Sequence, residues 1–185
     1  MVGMNLRCRI VGSETLVAVV NWSEFQRSRP DLADAGRALL YQVGVGLGFL
    51  ATVRRDGGPR IHPICPLLFP EGGARGAPDE LYAFIVPGPK RDDLHRDGRY
   101  SLHSFPCDDN EDAFYCTGRA ENVVDVGVRR AVADLYVAER STFDVAAPED
   151  DAHLFRLGLD RVLVTRTVGH GDPRPRHTAW RFSPP

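Results

Sequence analysis

The sequence predicts a mainly β, α+β fold in which an antiparallel β-barrel carries a few peripheral helices. Short apolar segments typical of strands follow one another along most of the chain, separated by turn residues. The few predicted helices do not alternate regularly with these strands, as a doubly wound parallel sheet requires. At 185 residues, of which 43% are hydrophobic and 26% charged, the chain is long enough for one domain with its own core.

The first predicted element is an amphipathic helix over residues 31–43, whose apolar positions recur at helical spacing after Pro30. It is followed by the glycine-rich run GVGLGF, residues 44–49. This glycine density is also found in dinucleotide-binding fingerprints, but a fingerprint follows a strand and opens a helix, and here the order is reversed. We therefore interpret the glycines as a helix stop followed by a turn.

A β-hairpin is predicted next, because two apolar segments over 49–55 and 60–69 flank the tight-turn sequence Asp56-Gly57-Gly58. A loop rich in Gly, Ala and Pro follows over 70–78. The remaining predicted elements are strands over 80–86, 99–105, 113–126, 159–168 and 178–182, a short helix after Pro89, and a helix over 127–140.

The charge pattern argues against nucleic acid or an anionic membrane surface as a partner. The formal net charge is −2 and no polybasic run is present. The apolar stretch over 15–20 is too short to span a bilayer, and its flanks do not resemble a cleavable signal peptide. We expect a cytoplasmic protein whose partners are a small molecule and a second copy of itself.

The cysteines and histidines predict neither a disulfide framework nor a metal site. The four cysteines include no C-x-x-C pair, which is typical of a reducing compartment. His62 and Cys65 are spaced like metal ligands, but residues three apart on a strand point to opposite faces.

The short helix after Pro89 carries the only lysine of the chain, Lys90, beside 22 arginines. Cations at a helix N-terminus oppose the helix dipole, whereas an anion such as phosphate is favoured by the free backbone N–H groups. Lys90 and Arg91 at this position therefore indicate an anion site. The alternative is an ordinary solvated lysine whose charge Asp92 and Asp93 neutralise.

The segment PRIHPICP contains three prolines within a predicted strand. Proline cannot donate to a β-ladder, so part of this segment must be an edge or a bulge. Arg60, His62 and Ile64 share one face of the strand, which brings a cation, an imidazole and an apolar side chain together. A ligand at this edge is one interpretation, and a strand histidine bonded to the backbone is the other for His62.

Three longer runs carry a resemblance to a known family. The segments LATVRRDGGPRIHPICPLLF, LYAFIVPGPKRDDLHRDGRYSLHSF and DAFYCTGRAENV, in this order, resemble the pyridoxamine 5'-phosphate oxidase-like proteins, the FMN-binding split β-barrel family. The resemblance extends over roughly residues 22–168. It implies a split-barrel domain over 22–185 and leaves residues 1–21 as an N-terminal extension of unknown role.

The resemblance also implies a cofactor site. In the family, the strand that matches this chain's segment 60–65 lines the flavin, and the lysine that matches Lys90 binds the FMN phosphate. Arg91 is implied as a second and weaker phosphate ligand, and Phe84 as a cofactor contact on the preceding strand. The implied contacts on the flavin strand are Arg60, Ile61, His62, Pro63 and Ile64.

Two departures argue against vitamin B6 oxidation itself. Cys65 stands where the oxidase strand ends in lysine, and RPRHTAWRF, residues 174–182, does not reproduce the oxidase's Arg-x-His signature in order. The resemblance therefore predicts an FMN-dependent oxidoreductase that acts on an unidentified small molecule by hydride transfer, and it names no catalytic residue. A deazaflavin-dependent reductase of the same fold and a non-catalytic flavin-binding protein are the alternatives. A homodimer that shares the cofactor groove is also expected, because the prolines in RIHPICPLLF leave an apolar edge that burial of ICPLLF and LYAFIV between two copies would cover.

Overall fold

A computed structural model describes residues 18–69, 80–142 and 146–184, and within them the chain forms one eight-stranded sheet and four helices. The helices are α1 (Trp22–Ser28), α2 (Pro30–Leu40), α3 (Pro89–Arg96) and α4 (Val126–Glu139). The strands are β1 (Gly48–Val53), β2 (Pro59–Ile64), β3 (Leu67–Leu68), β4 (Leu81–Ile85), β5 (Arg99–Ser104), β6 (Ala113–Asn122), β7 (His153–Arg166) and β8 (Arg176–Arg181).

The antiparallel sheet curls into a barrel because its two terminal strands are consecutive in sequence. The strand order is β2-β1-β5-β6-β7-β4-β3, with β8 paired to β7. Only Cys65 and Pro66 separate the end of β2 from the start of β3, so these two ends of the sheet must lie close together. This closure is the curled, mainly β architecture that the sequence predicts.

The barrel interior holds the main hydrophobic core. Directly opposite residues of an antiparallel pair share a face, so the buried positions of each strand converge on the interior. Members of this core are 0–8% exposed, and they include Leu50, Ile64, Leu102, Phe114 and Leu159. A second apolar cluster lies where α4 covers β3 and β4 from outside, around Tyr82, Val132 and Leu154.

The helix α1 was not identified from the sequence, although its start signal is present there. Asn21 accepts a hydrogen bond from the Glu24 backbone, and the Glu24 carboxylate accepts one from the Asn21 backbone. This capping box satisfies two free N–H groups at the helix start. Trp22 and Phe25 anchor the helix on the barrel, where they are 1% and 0% exposed.

Most predicted elements are present with shifted boundaries. The segment 60–69 is two strands, because Pro66 interrupts the ladder where the barrel closes. The first long helix ends at Leu40, before Gly44, which has a φ of +80°. The strand β7 begins at His153, six residues before the predicted start at 159. Its first residues, 153–156, pair with β4, and this pairing extends the strand toward its N-terminus.

The last residues before α1 also belong to the sheet. Val20 exchanges two backbone hydrogen bonds with Leu159, at 2.8 and 2.9 Å, and it is 8% exposed. Residues 1–17 of the predicted N-terminal extension lie outside the described ranges. No helix of the described ranges is long and apolar enough to cross a membrane.

Candidate functional site

The helix α3 begins at a position built by proline and glycine. Gly88 precedes it with a φ of +143°, which favours glycine, and Pro89 occupies the first turn. The Gly88 carbonyl accepts hydrogen bonds from the backbone N–H groups of Arg91 and Asp92. Among the described residues, no side chain caps this end. Lys90 therefore lies in the first turn of α3, directly after the short connection from β4.

The Lys90 side chain is a half-buried cation without a counter-ion among the described residues. No hydrogen bond or ion pair joins its ammonium group to a residue of the ranges 18–69, 80–142 and 146–184. Burial lowers the pKa of Lys90, and the nearby Cys65 opposes that shift. Removing part of the hydration of a charge costs free energy unless a charged or polar partner replaces it. An anion at this position would supply the partner that the described residues do not.

The carboxylate of Asp93 lies one turn further along α3 and is 5% exposed. Its Oδ2 accepts a hydrogen bond from the Thr52 hydroxyl at 3.0 Å and another from Arg60 Nε at 2.8 Å. Its Oδ1 accepts from Arg96 at 3.4 Å. A buried carboxylate thus ties α3 to β1 and β2, and it brings Arg60 onto the same side of the barrel as the start of α3.

The two faces of β2 differ in the way that the sequence predicts. Arg60, His62 and Ile64 are buried or half-buried. Their partners on β1 include Thr52, opposite Arg60, and Leu50, opposite His62, so these side chains share one face of the hairpin. Ile61 and Pro63 stand on the outer face, where Ile61 is 65% exposed. Within the described sheet β2 pairs with β1 alone, so it is an edge strand. The five predicted contacts on β2 therefore divide between two faces.

Arg91 and Phe84 contact other parts of the chain than the group formed by Asp93, Thr52, Arg60 and Arg96, which we call the Asp93 cluster. The Arg91 guanidinium donates to the backbone carbonyl of Asp151 at 2.8 Å. Phe84 faces α4, where its ring meets Tyr136 edge-on at 6.1 Å and lies 5.2 Å below the Arg129 guanidinium. Both residues remain predicted cofactor contacts, and their recorded partners are protein groups.

A histidine pair joins α3 to the start of β7. His95 Nε2 and His153 Nδ1 are 2.8 Å apart, which is hydrogen-bond distance, and the tautomers decide which ring donates. The His95 ring also packs on Phe155, with 5.0 Å between ring centroids. Partial burial and then the positive charge of Arg91 lower the pKa of His153. The contact therefore holds α3 in place most firmly when His153 is neutral.

We expect the folded protein to lose stability on mild acidification through this pair. A lowered folded-state pKa means that the unfolded chain binds the proton more readily, so the stabilisation is present above about pH 6.5 and is lost as the pH falls through the folded value. Arg91, Arg129 and His95 oppose a proton on His153, and Asp151 favours it. The melting temperature should fall between about pH 7.5 and 5.5, and less steeply in His153→Gln.

His170→Gln is the matched control, since His170 is exposed and lies in the β7–β8 connection. It should keep the wild-type dependence of the melting temperature on pH. An equal slope in the wild type and in His153→Gln would show that the pair does not titrate in this range.

Two residues of the cluster were missed as functional residues. From the sequence pattern Asp93 was interpreted only as a charge that neutralises Lys90, and Thr52 was not a candidate. Asp93 is 33 positions from Arg60 and 41 from Thr52 along the chain, so no local spacing could connect them. The available signal was that an acidic residue follows the lysine by one helical turn, on the same face.

The fold is shared with solved structures of low sequence identity. A heme binding protein from Mycobacterium smegmatis is 20% identical, with a TM-score of 0.52 over 78% of this chain and 57% of that one. HupZ from Group A Streptococcus is 14% identical, with a TM-score of 0.53 over 75% of this chain and 95% of that one. A pyridoxamine 5'-phosphate oxidase-related, FMN binding protein from Nostoc punctiforme is 13% identical, with a TM-score of 0.50 over 86% and 97%.

At these identities the likeness shows the fold alone: this chain has the split β-barrel fold of the pyridoxamine 5'-phosphate oxidase-related proteins. The fold predicted from the sequence resemblance is therefore confirmed. The chain spans just over half of the length of the mycobacterial heme binding protein. No protein-family model matches the sequence, and no curated protein matches it either.

Proposed function

We propose that this protein binds FMN through its phosphate group at Lys90 and Arg60 and acts as a flavin-dependent oxidoreductase on a small molecule. The observation that supports this most strongly is the half-buried Lys90 ammonium without a partner in the described ranges. Fold similarity to an FMN binding protein from Nostoc punctiforme is consistent with the proposal. Fold alone does not determine function, so the proposal depends on this site.

The residues present fit a phosphate group. Arg60 uses Nε to bind Asp93, and its two Nη amino groups have no hydrogen-bond partner in the described ranges. A guanidinium presents paired donors that match phosphate oxygens, and an ammonium adds a third direction. Bound FMN would supply hydride transfer at its ring, while Lys90 and Arg60 would hold and orient its phosphate and the edge strand β2 would lie along the ring.

Two other assignments share the same anion chemistry. A deazaflavin also carries a phosphate tail, and a non-catalytic flavin-binding protein would use the same contacts. Heme presents carboxylates to cations, and the mycobacterial protein of this fold is named for heme binding. These alternatives differ in the cofactor or in turnover, so direct identification separates them.

The test is to denature the purified protein and identify any released cofactor by mass spectrometry. The apo protein is then titrated with FMN, riboflavin, a deazaflavin and heme, and the FMN complex is assayed for oxidation of a reduced nicotinamide. We expect FMN to bind best and riboflavin to bind more weakly. Equal affinity for FMN and riboflavin would contradict the phosphate site, and FMN binding without turnover would favour the non-catalytic alternative.

Arg60→Ala is expected to weaken FMN binding and also to lower the free energy of unfolding by about 1–2 kcal/mol. The second effect arises because the buried Asp93 loses its shortest ion-pair contact while Thr52 and Arg96 remain. The losses of FMN affinity in Arg60→Ala and Lys90→Ala should be less than additive if both contact one phosphate. Strict additivity would place Arg60 on another group.

We also propose that two copies associate through the outer face of β2. The segments ICPLLF and LYAFIV, which the sequence suggested would need a partner, are largely buried within the chain, where Leu67, Leu81 and Ile85 are each 0% exposed. The open edge of β2 and the exposed Ile61 remain. An exposed apolar edge strand is usually covered by pairing or by assembly.

Sedimentation at low micromolar concentration should show a homodimer, with FMN shifting the equilibrium further toward it. Ile61→Arg should sediment as a monomer, whereas Val168→Arg, at a residue that is 90% exposed, should not change the assembly. A wild-type monomer that binds FMN tightly would contradict the dimer and leave the phosphate site standing. The cytoplasmic location also stays a prediction, which imaging of the tagged chain would test.

A further inference from the structure

The carboxylate of Asp93 is the point where three parts of the barrel meet. It is buried on α3 and receives hydrogen bonds from Thr52 on β1, from Arg60 on β2 and from Arg96 on α3 itself. Three donors are sufficient to satisfy a buried carboxylate. The carboxylate therefore has little capacity left for a further partner, and the contact with Arg60 fixes that side chain.

The Asp93 contact determines what Arg60 can offer to a ligand. The arginine lies on an edge strand and its side chain is 28% exposed, so without an anchor it would sample many rotamers. Asp93 engages Nε at 2.8 Å, and the two Nη amino groups have no hydrogen-bond partner in the described part of the chain. Asp93 thus fixes the guanidinium through Nε, and the two Nη groups remain available to a ligand.

Lys90 lies three residues before Asp93 on α3, and residues at this spacing share one face of a helix. The Lys90 side chain therefore leaves α3 on the face that carries Asp93, and its ammonium lies near Cys65, just beyond the end of β2. Because Asp93 also binds the Thr52 hydroxyl, the start of α3 is fixed to both strands of the β1–β2 hairpin. Asp93 thus fixes the side chain of one candidate phosphate ligand, Arg60, and the helix that carries the other, Lys90.

We infer that Asp93 is a positioning residue that holds Arg60 and α3 so that Arg60 and Lys90 converge on one phosphate group; this inference rests on the proposed FMN function. This role and simple electrostatics predict opposite changes in phosphate affinity when the Asp93 charge is removed. A phosphate near Asp93 is repelled by the carboxylate charge, so removing that charge should strengthen binding if only charge matters. If Asp93 positions the cations, its removal weakens phosphate binding.

The decisive comparison is the affinity of Asp93→Asn for FMN and for riboflavin, which lacks the phosphate. The asparagine keeps the shape of the side chain but removes the charge that binds Arg60. We expect FMN affinity to fall about tenfold, the scale of one charge-assisted hydrogen bond, and riboflavin affinity to stay within about twofold. An unchanged or increased FMN affinity would overturn the inference.

Asp92→Asn is the matched control, since it removes the same charge one residue away. The Asp92 side chain is exposed and has no recorded hydrogen bond in the described ranges. It should leave FMN affinity unchanged or slightly raise it. Equal losses in Asp92→Asn and Asp93→Asn would mean a general charge effect and would also overturn the positioning role.

Thr52→Val keeps the inference testable if Asp93→Asn does not fold. Valine has nearly the volume of threonine, and the change removes the hydroxyl that donates to Asp93 from a residue that is 3% exposed. FMN affinity should fall about threefold while riboflavin affinity is kept, because the carboxylate loses one of its anchors. No selective loss of FMN affinity would count against Asp93.

Inorganic phosphate separates failure of this inference from failure of the FMN proposal. If the wild type has no preference for FMN over riboflavin, the melting temperature is compared in phosphate and in chloride of equal ionic strength. Stabilisation by phosphate that is lost in Asp93→Asn would support the positioning role without FMN. No stabilisation of the wild type by either FMN or phosphate would overturn both ideas, and selective FMN binding that survives in Asp93→Asn would overturn the inference alone.

Discussion

Lys90→Ala is expected to weaken FMN binding about 10- to 100-fold, or ~1.5–3 kcal/mol, the value of a charge-assisted hydrogen bond. Riboflavin affinity should change little, since the lost contact is to the phosphate. The fold should be kept or slightly stabilised, because the variant removes a half-buried charge that has no counter-ion in the described ranges. The measurement is FMN and riboflavin affinity together with the melting temperature of the apo protein.

Arg130→Ala is the matched control for this experiment. Arg130 is an exposed cation on α4, so the variant changes net charge equally without touching the start of α3. It should leave FMN affinity at the wild-type value. A Lys90→Ala protein with normal FMN affinity would remove the main support for the phosphate site, and with it the interpretation of the single lysine.

Gly46→Ala is expected to lower the free energy of unfolding by about 2–4 kcal/mol. A Cβ atom at Gly46 would lie 1.9 Å from the carbonyl oxygen of Pro66, and a backbone atom cannot rotate away as a side chain can. Pro66 belongs to the two-residue connection between β2 and β3. The methyl group would therefore disrupt the closure of the barrel, next to Cys65 and the end of β2.

Chemical denaturation of Gly46→Ala and Gly58→Ala measures this effect. At Gly58 an added Cβ would meet only the ends of the Arg54 and Asp56 side chains, at 3.1 and 3.2 Å, and these can move. Gly58→Ala should change stability by less than about 1 kcal/mol. Similar losses in both variants would show that the Pro66 contact relaxes at low cost and does not define the closure.

Much of the site could be predicted from the sequence because its signals are local. Pro89 and the single lysine mark the start of α3, and the prolines around Ile61 mark an edge strand, since proline lacks the N–H group that a ladder needs. Period-2 alternation assigned Arg60, His62 and Ile64 to one face, and the observed burial agrees with this assignment.

The boundaries that were predicted wrongly depend on contacts distant in sequence. The continuous strand over 60–69 was wrong because barrel closure bends the chain at Pro66, and only the pairing of β3 with β4 shows where the second strand begins. The apolar segments ICPLLF and LYAFIV, which were expected to be buried by a second copy, are largely buried within the chain itself, since α4 and the barrel interior cover them. Neither contact has a local pattern that sequence reasoning could read.

Except for α1 and the division of β2 from β3, the sequence by itself determined the order of strands and helices. It also determined the edge character of β2 and the exceptional position of Lys90, because these depend on periodicity, turn chemistry and proline. The tertiary structure alone decided which groups meet at the site. It brought Asp93 to Thr52 and Arg60, distant in sequence, and it left the Lys90 ammonium without a partner in the described ranges. The physical reason is that the partners of a buried charge are the polar groups closest to it in space, and the curl of the sheet determines which groups those are.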